Sequence, residues 1–130
     1  MDTPWKATIQ PSPEQEYLAL LSFLPLKQSR RIPGFLVYTW RIVQQLKRAR
    51  GLVGYTIRAQ LLNKSFWTLS AWETEAAMRA FVQAPPHREV MAALQPYMGQ
   101  TSFNQWTVKG AELPLQWDDA LRHQQKRGVI

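Results

Sequence analysis

The 130-residue sequence predicts an α+β fold of the ferredoxin-like type, a four-stranded antiparallel sheet with both helices on one face. Strand-like and helix-like segments follow one another in the order β-α-β-β-α-β, which is the order that this fold requires. Hydrophobic residues make up 45% of the chain, enough for a buried core in one domain of this length. The sequence contains no cysteine, which excludes disulfides and thiolate metal ligands.

Composition divides the chain into three parts. Residues 1–14 contain three prolines and are predicted to form an irregular N-terminal arm. Residues 15–110 carry the six elements of the domain. Residues 111–130 are predicted to form a C-terminal tail with a polar helix, which begins near Asp118 and Asp119.

The first strand is predicted from about Tyr17 to Leu26, and because it is apolar at both parities we expect it to be covered on both sides. The first helix is predicted from about Pro33 to Ala49, with Gly51 as its stop. At helical periodicity its apolar face comprises Phe35, Leu36, Thr39, Trp40, Ile42, Val43 and Leu46, and its polar face comprises Arg41, Gln44, Gln45 and Arg48.

Two strands, LVGYTIRAQL and SFWTLSAW, are predicted to pair as a hairpin that turns near Asn63 and Lys64. A short turn there would place Leu61 opposite Phe66 and Tyr55 opposite Trp72. One face of the hairpin then comprises Tyr55, Ile57, Ala59, Leu61, Phe66, Thr68, Ser70 and Trp72, and the other comprises Thr56, Arg58, Gln60, Trp67, Leu69 and Ala71.

The second helix is predicted to begin after Thr74, a plausible N-cap, and to be interrupted by Pro85-Pro86. A further helical segment, HREVMAALQ, follows this break. The fourth strand is predicted from Thr101 to Lys109.

Two helices on one face leave the other face of a four-stranded sheet uncovered. That face would expose Trp67 and Leu69, and a large exposed apolar patch indicates association. The sequence therefore predicts a homodimer in which two sheets pack face to face around a two-fold axis.

The net charge of +7 is concentrated in the first half of the chain. Residues 17–72 contain nine lysines and arginines and no acidic residue, which indicates either a surface for anions or a solvated cationic face. Nucleic acid is disfavoured as a partner, because the aromatic residues of the first helix are predicted on its buried face. No segment has the length and apolarity of a membrane span, and no apolar signal segment follows the first residues, so a cytoplasmic location is predicted.

The block FWTLSAWETEAAMRAFVQAPPHREVM resembles the third strand and second helix of antibiotic-biosynthesis-monooxygenase-like proteins, and GLVGYTIRAQLLNKSFWTLSAW resembles their hairpin. These proteins belong to the dimeric α+β barrel superfamily, so the resemblance implies a homodimer with a pocket between the helices and the sheet of each subunit. Trp72 matches the tryptophan at the end of the strand. His87 lies near the ligand histidine of haem-degrading members, but the first strand lacks their asparagine and offers Ser22 as its polar residue. No cofactor is therefore predicted, and no metal site.

His87 is the candidate catalytic residue. At a helix start the helix dipole disfavours an imidazolium, so a neutral ring is expected, able to accept a proton from a phenol or enol or to ligate iron. The alternative is a residue that bonds only to backbone or water.

The candidate substrate-binding residues are Trp72, Tyr55, Thr68 and Ser70, as aromatic walls and hydroxyl partners, with packing in the core as the alternative for each. The sequence thus predicts a small monooxygenase-like enzyme for an apolar or aromatic substrate. The second hypothesis is a non-catalytic dimeric module that binds a small ligand or a partner.

Overall fold

The computed structural model describes residues 1–128, with side chains described through Gln124. Its strands and α-helices are β1 (Lys6–Ala7), β2 (Glu16–Pro25), α1 (Ile32–Leu46), β3 (Leu52–Gln60), β4 (Ser65–Trp72), α2 (Glu75–Gln83), α3 (His87–Leu94), β5 (Ser102–Lys109) and α4 (Trp117–Gly128). The strands form one antiparallel sheet in the order β1-β3-β4-β2-β5. The predicted ferredoxin-like α+β fold is confirmed. The predicted number of four strands is wrong, because the arm contributes a fifth.

The fifth strand, β1, extends the sheet beside β3. Lys6 pairs with Tyr55 and Ala7 with Gly54. A side chain at position 54 could not be accommodated, because its Cβ would lie 2.4 Å from the ring of Trp5. The glycine in β3 therefore lets Trp5 pack directly on the sheet and hold the arm in place.

The β3–β4 hairpin has a longer turn than the sequence suggested. Leu61–Asn63 forms a 3₁₀ turn and Lys64 follows in the left-handed conformation with φ 54°. Ala59 consequently pairs with Phe66, and Tyr55 pairs with Ser70 instead of Trp72. Because the register moved by two residues, the strand residues of each predicted hairpin face stay on the same side of the sheet.

The inner face of the sheet is covered by α1, α2 and α3. Phe35 of α1 packs against Phe66 with ring centroids 4.2 Å apart. Leu46, Tyr55, Trp72 and Met78 form a second buried cluster at the other end of this face. Thr74 caps α2 as predicted, since its side chain accepts a hydrogen bond from the Ala77 N–H at 3.0 Å.

The outer face of the sheet, predicted to be uncovered, is covered by α4 and by Trp5. Leu69 is fully buried there, and the Trp67 indole N–H donates to Gln124 Oε1 at 2.9 Å. The tail helix carries an apolar stripe, Trp117, Ala120 and Leu121, at the i, i+3, i+4 spacing of an amphipathic helix. Because the tail is mostly polar, the sequence did not indicate that stripe. In this structure α4 covers the apolar patch from which a face-to-face dimer was predicted.

Arg58 is contacted by residues of both the N-terminal arm and the tail helix. It lies 4.7 Å from the centre of the Trp117 ring and forms an ion pair with Asp2 at 2.7 Å. The pairing with Arg58 lowers the pKa of the Asp2 carboxyl. The N-terminal arm and the tail helix therefore both contact the Arg58 guanidinium. Within residues 1–128, no helix is long and apolar enough to cross a membrane.

Candidate functional site

A cavity of about 500 Å³ lies between the inner face of the sheet and the three helices that cover it. Its volume falls within the range of sites for small organic ligands. Its wall is mainly apolar and includes Leu20, Phe35, Ile42, Ile57, Phe66, Met78, Phe81, Val90 and Met91. The polar side chains on the wall are Ser22, Thr39, Thr68, Ser70, Gln83, His87, Arg88 and Gln105.

Four of the five site residues predicted from the sequence line this cavity together: Trp72, Thr68, Ser70 and His87. Tyr55 is not among its lining residues. Although it shares a sheet face with the others, its side chain is buried against Leu46 and Trp72, and burial raises the pKa of its phenol. The structure thus places Tyr55 in the core behind the cavity.

Trp72, Phe81 and His87 form a row of rings along one wall. The centroid of Phe81 lies 5.3 Å from that of Trp72 and 5.1 Å from that of His87. Phe81 lies on α2, and its place between the two predicted site residues is a contact between elements that no local sequence pattern indicates. A flat aromatic ligand would meet ring faces and edges along this wall.

Ser70 is oriented by Trp72, whose indole N–H donates to Ser70 Oγ at 2.9 Å. Since the Ser70 oxygen accepts this bond, its own hydrogen can be donated to another acceptor. Thr68 lies two residues earlier on the same face of β4 and also lines the cavity. The two hydroxyls therefore offer hydrogen-bond donors in a mainly apolar wall.

His87 is the first residue of α3, directly after the Pro85-Pro86 interruption. Its Nδ1 lies 3.1 Å from the Val82 carbonyl oxygen. Because a carbonyl only accepts hydrogen bonds, Nδ1 carries the proton, and in the neutral ring Nε2 holds the lone pair. Burial lowers the pKa of His87, and the bond to Val82 opposes this in part. The ring is therefore neutral at pH 7, with Nε2 able to accept a proton.

Gln45 of α1 holds the segment that carries His87. Its amide nitrogen donates to the Phe81 carbonyl at 2.9 Å, and its amide oxygen accepts from the His87 backbone N–H at 2.9 Å. The His87 N–H lies in the first turn of α3, where it has no partner within the helix, and the Phe81 carbonyl near the end of α2 also accepts from the Ala84 N–H at 3.3 Å. The sequence placed Gln45 on the polar face of α1, and no local pattern could reveal a contact between three separate helices.

The sequence predicted no metal site in this domain. Among the described residues, no group of three or more His, Asp or Glu side chains could hold a metal ion. None of the residues that line the cavity is acidic, and Arg88 supplies a positive charge. The cavity wall is mainly apolar, and His87 adds one neutral imidazole to it.

The fold thus places a mainly apolar cavity between sheet and helices, with the half-buried His87 on its wall, and concave apolar pockets of this kind are typical small-molecule sites. The family model for antibiotic biosynthesis monooxygenase matches residues 6–93, more than half of the chain. The chain belongs to the antibiotic biosynthesis monooxygenase family, as the resemblance indicated. No curated protein sequence matches it.

Solved structures with the same fold include SnoaB from Streptomyces nogalater, described as a cofactor-independent oxygenase and determined as the N63A mutant. It is 15% identical, with a TM-score of 0.59, and the match covers 71% of this chain and 92% of SnoaB. A dimeric ferredoxin-like protein of unknown function from Thermobifida fusca is 15% identical, with a TM-score of 0.61 over 75% and 95% of the two chains. A conserved protein from Methanosarcina mazei Go1 is 12% identical, with a TM-score of 0.62 over 69% and 90%. At these identities the likeness shows a shared fold.

Proposed function

We propose that this chain is a cofactor-independent monooxygenase-like enzyme that oxidises an apolar or aromatic substrate in the cavity between sheet and helices. The observation that carries the proposal is the half-buried, neutral His87, whose Nε2 is left as the proton acceptor on the wall of a mainly apolar cavity. Membership in the antibiotic biosynthesis monooxygenase family supports it, as does the fold shared with a cofactor-independent oxygenase.

In the proposed reaction, His87 Nε2 removes the proton of a phenol or enol, and the resulting electron-rich anion is the species that O₂ oxidises. A methylene carbon of the substrate becomes a carbonyl. One oxygen atom of O₂ enters the product, and the other leaves as water with the two hydrogens. Trp72 and Phe81 hold the substrate ring, while the hydroxyls of Ser70 and Thr68 bond its oxygen atoms.

The test is oxygen uptake with a panel of hydroxylated polycyclic aromatic compounds that contain an oxidisable methylene group, with ¹⁸O₂ to follow the oxygen atom. The proposal expects incorporation of one ¹⁸O atom without added metal, haem or flavin. Saturable binding without oxygen uptake across the panel would instead favour the non-catalytic ligand-binding module. Activity that needs added haem would contradict the cofactor-free reaction.

The pH dependence of kcat/KM reports the protonation of His87. Only the neutral ring accepts a proton, so the rate is lost as the pH falls through the pKa of His87 in the free enzyme. Burial lowers that pKa below 6.5, the ordinary value for histidine. We therefore expect kcat/KM to be constant near pH 7 and to fall with a midpoint below pH 6.5. A midpoint above pH 6.5 would contradict a buried His87 as the base.

Replacement of Gln45 by methionine tests its role as a positioning residue. Methionine keeps the length of the side chain and removes both hydrogen bonds, so we expect the free energy of unfolding to fall by about 1–3 kcal/mol. The loss of orientation at His87 is expected to lower kcat by roughly tenfold or more.

The neighbouring Gln44 provides the control for this variant, because Gln44→Met changes the same helix without either bond. An NMR titration of the His87 ring separates positioning from stability alone. A pKa of His87 unchanged in Gln45→Met, with unchanged kcat, would show that Gln45 does not position the base.

A homodimer and a cytoplasmic location stay predictions. Face-to-face pairing of two sheets would require α4 to leave the outer face or to be exchanged between copies, because Trp117 and Leu121 pack where the second sheet would lie. The T. fusca protein with this fold is described as dimeric, which supports testing the oligomeric state directly.

A further inference from the structure

The side of α1 that faces away from the sheet carries three exposed apolar residues. Leu36, Val37 and Trp40 are 46%, 61% and 63% exposed. Helical periodicity predicts Leu36 and Trp40 on the apolar face of this helix, but the residues that the fold buries are Phe35 and Leu46. Large apolar side chains clustered on an exposed helix surface mark a contact site.

This apolar surface continues into a cleft of about 1140 Å³ between α1 and α2. Trp40 lies at the cleft together with Arg41, Gln44, Arg48 and Arg50 on one wall. The opposite wall is built from small apolar side chains, namely Ala77, Ala80, Ala84, Pro85 and Pro86. The cleft shares Phe81 with the cavity at His87 and differs from that cavity in its cationic wall.

The positive charge of this cleft is not neutralised within the fold. In the described part of the chain, none of the ion pairs includes Arg41, Arg48 or Arg50. Glu73 is the one acidic residue on the cleft wall, and residues 17–72 contribute no acid at all. A cleft with a cationic wall and an apolar wall attracts an occupant that is acidic on one side and apolar on the other.

We propose that the cleft, together with Leu36, Val37 and Trp40, is the docking surface for an acidic amphipathic segment of another protein. The apolar residues of the segment pack on Trp40 and the alanine wall, and its carboxylates pair with Arg41, Arg48 and Arg50. A helix laid in a groove makes contacts of this kind. The concave shape favours a protein segment over a flat membrane surface, and a second copy of this chain would bring the same cations against each other.

The probe for this surface is a fluorescein-labelled 16-residue peptide with leucines at positions i, i+3, i+4 and i+7, glutamates at the positions that flank this stripe, and alanines elsewhere to favour a helix. Fluorescence anisotropy at low salt measures its binding to the full chain. A peptide with lysine in place of each glutamate keeps the apolar face and reverses the charge. The proposal expects binding of the acidic peptide alone, and weaker binding as salt screens the charges.

Two variants locate the binding on this surface. Arg41→Glu with Arg48→Glu, and separately Trp40→Ser, should each weaken peptide binding by about tenfold or more, the scale of a hot-spot residue. Lys64→Glu with Lys109→Glu makes the same change in net charge away from the cleft and should leave binding nearly unchanged. All substituted side chains except the partly buried Lys64 are exposed, and circular dichroism verifies that each variant is folded.

Three outcomes would overturn the proposal. An equal loss in the Lys64/Lys109 variant would show attraction by net charge alone and would overturn the proposal. Absence of peptide binding at low salt would also overturn it. So would Trp40-dependent binding to phosphatidylserine vesicles with no binding of the peptide, since that result would assign the surface to a membrane.

Discussion

Replacement of His87 by alanine is expected to remove most of the turnover while the protein stays folded. The variant removes Nε2 of His87, which is the one imidazole among the described residues that line the cavity. General-base catalysis by a positioned side chain contributes about 10²- to 10⁴-fold to a rate, so kcat should fall by that order. The fold loses the bond from Nδ1 to the Val82 carbonyl and the contact with the Phe81 ring, which costs about 1–2 kcal/mol of unfolding free energy.

His123, the second histidine of the chain, provides the matched control. It lies on α4 at the outer face, where its ring stacks on Trp106 at 3.9 Å. His123→Ala should therefore keep full activity per folded molecule. Substrate binding measured by tryptophan fluorescence should persist in His87→Ala, because Trp72 and Phe81 remain. Turnover at the wild-type rate in His87→Ala would refute His87 as the base, even if the enzyme proves to be an oxygenase.

Removal of α4, by ending the chain after Gln116, is expected to lower stability and change the oligomeric state. The truncation uncovers Leu69 and exposes more of Trp67 and Trp106 by removing Trp117 and Leu121. Burial of two large side chains contributes about 3–6 kcal/mol. The free energy of unfolding, measured by thermal and denaturant unfolding, should therefore fall by that amount. The uncovered face then matches the one on which the dimer prediction rested, and the shortened chain should self-associate through it.

Sedimentation velocity over a range of concentrations measures this change. The full chain should show no association through the outer face, whereas the shortened chain should dimerise or aggregate as concentration rises. Arg122→Ala is the control, because Arg122 lies on α4 but pairs with the nearby Asp119 at the surface. If the full and the shortened chain form the same dimer with the same dissociation constant, α4 does not occupy the outer face in solution.

The elements that were predicted well are those whose signal is local. The strand SFWTLSAW, the Thr74 cap and the break at Pro85-Pro86 each follow from neighbouring residues, and the structure contains all three. The β3–β4 register was predicted two residues from its true value, because the conformation of Leu61–Lys64 depends on a left-handed residue that the sequence does not mark with glycine. The predicted faces of the two strands were still correct, because strand side chains alternate with a period of two and the register differs by two residues.

The candidate site could likewise be predicted only in part from the sequence. Trp72, Thr68, Ser70 and His87 could be grouped from the sequence, because strand alternation and helix order bring them to one cavity. Tyr55 was grouped with them for the same reason and lies instead in the core. Phe81 and Gln45 could not be chosen in advance, because their roles consist of contacts between α1, α2 and α3.

The sequence alone determined the order of strands and helices, the inner face of the sheet and the position of His87 after a proline break. These properties depend on periodicity, capping and chain stiffness, which act over a few residues. Only the tertiary structure decided that the arm adds a strand, that α4 covers the outer face, and that Gln45 holds His87. Each of these depends on contacts between residues far apart in the chain, where the free energy comes from burying apolar surface and satisfying polar groups that no local pattern specifies.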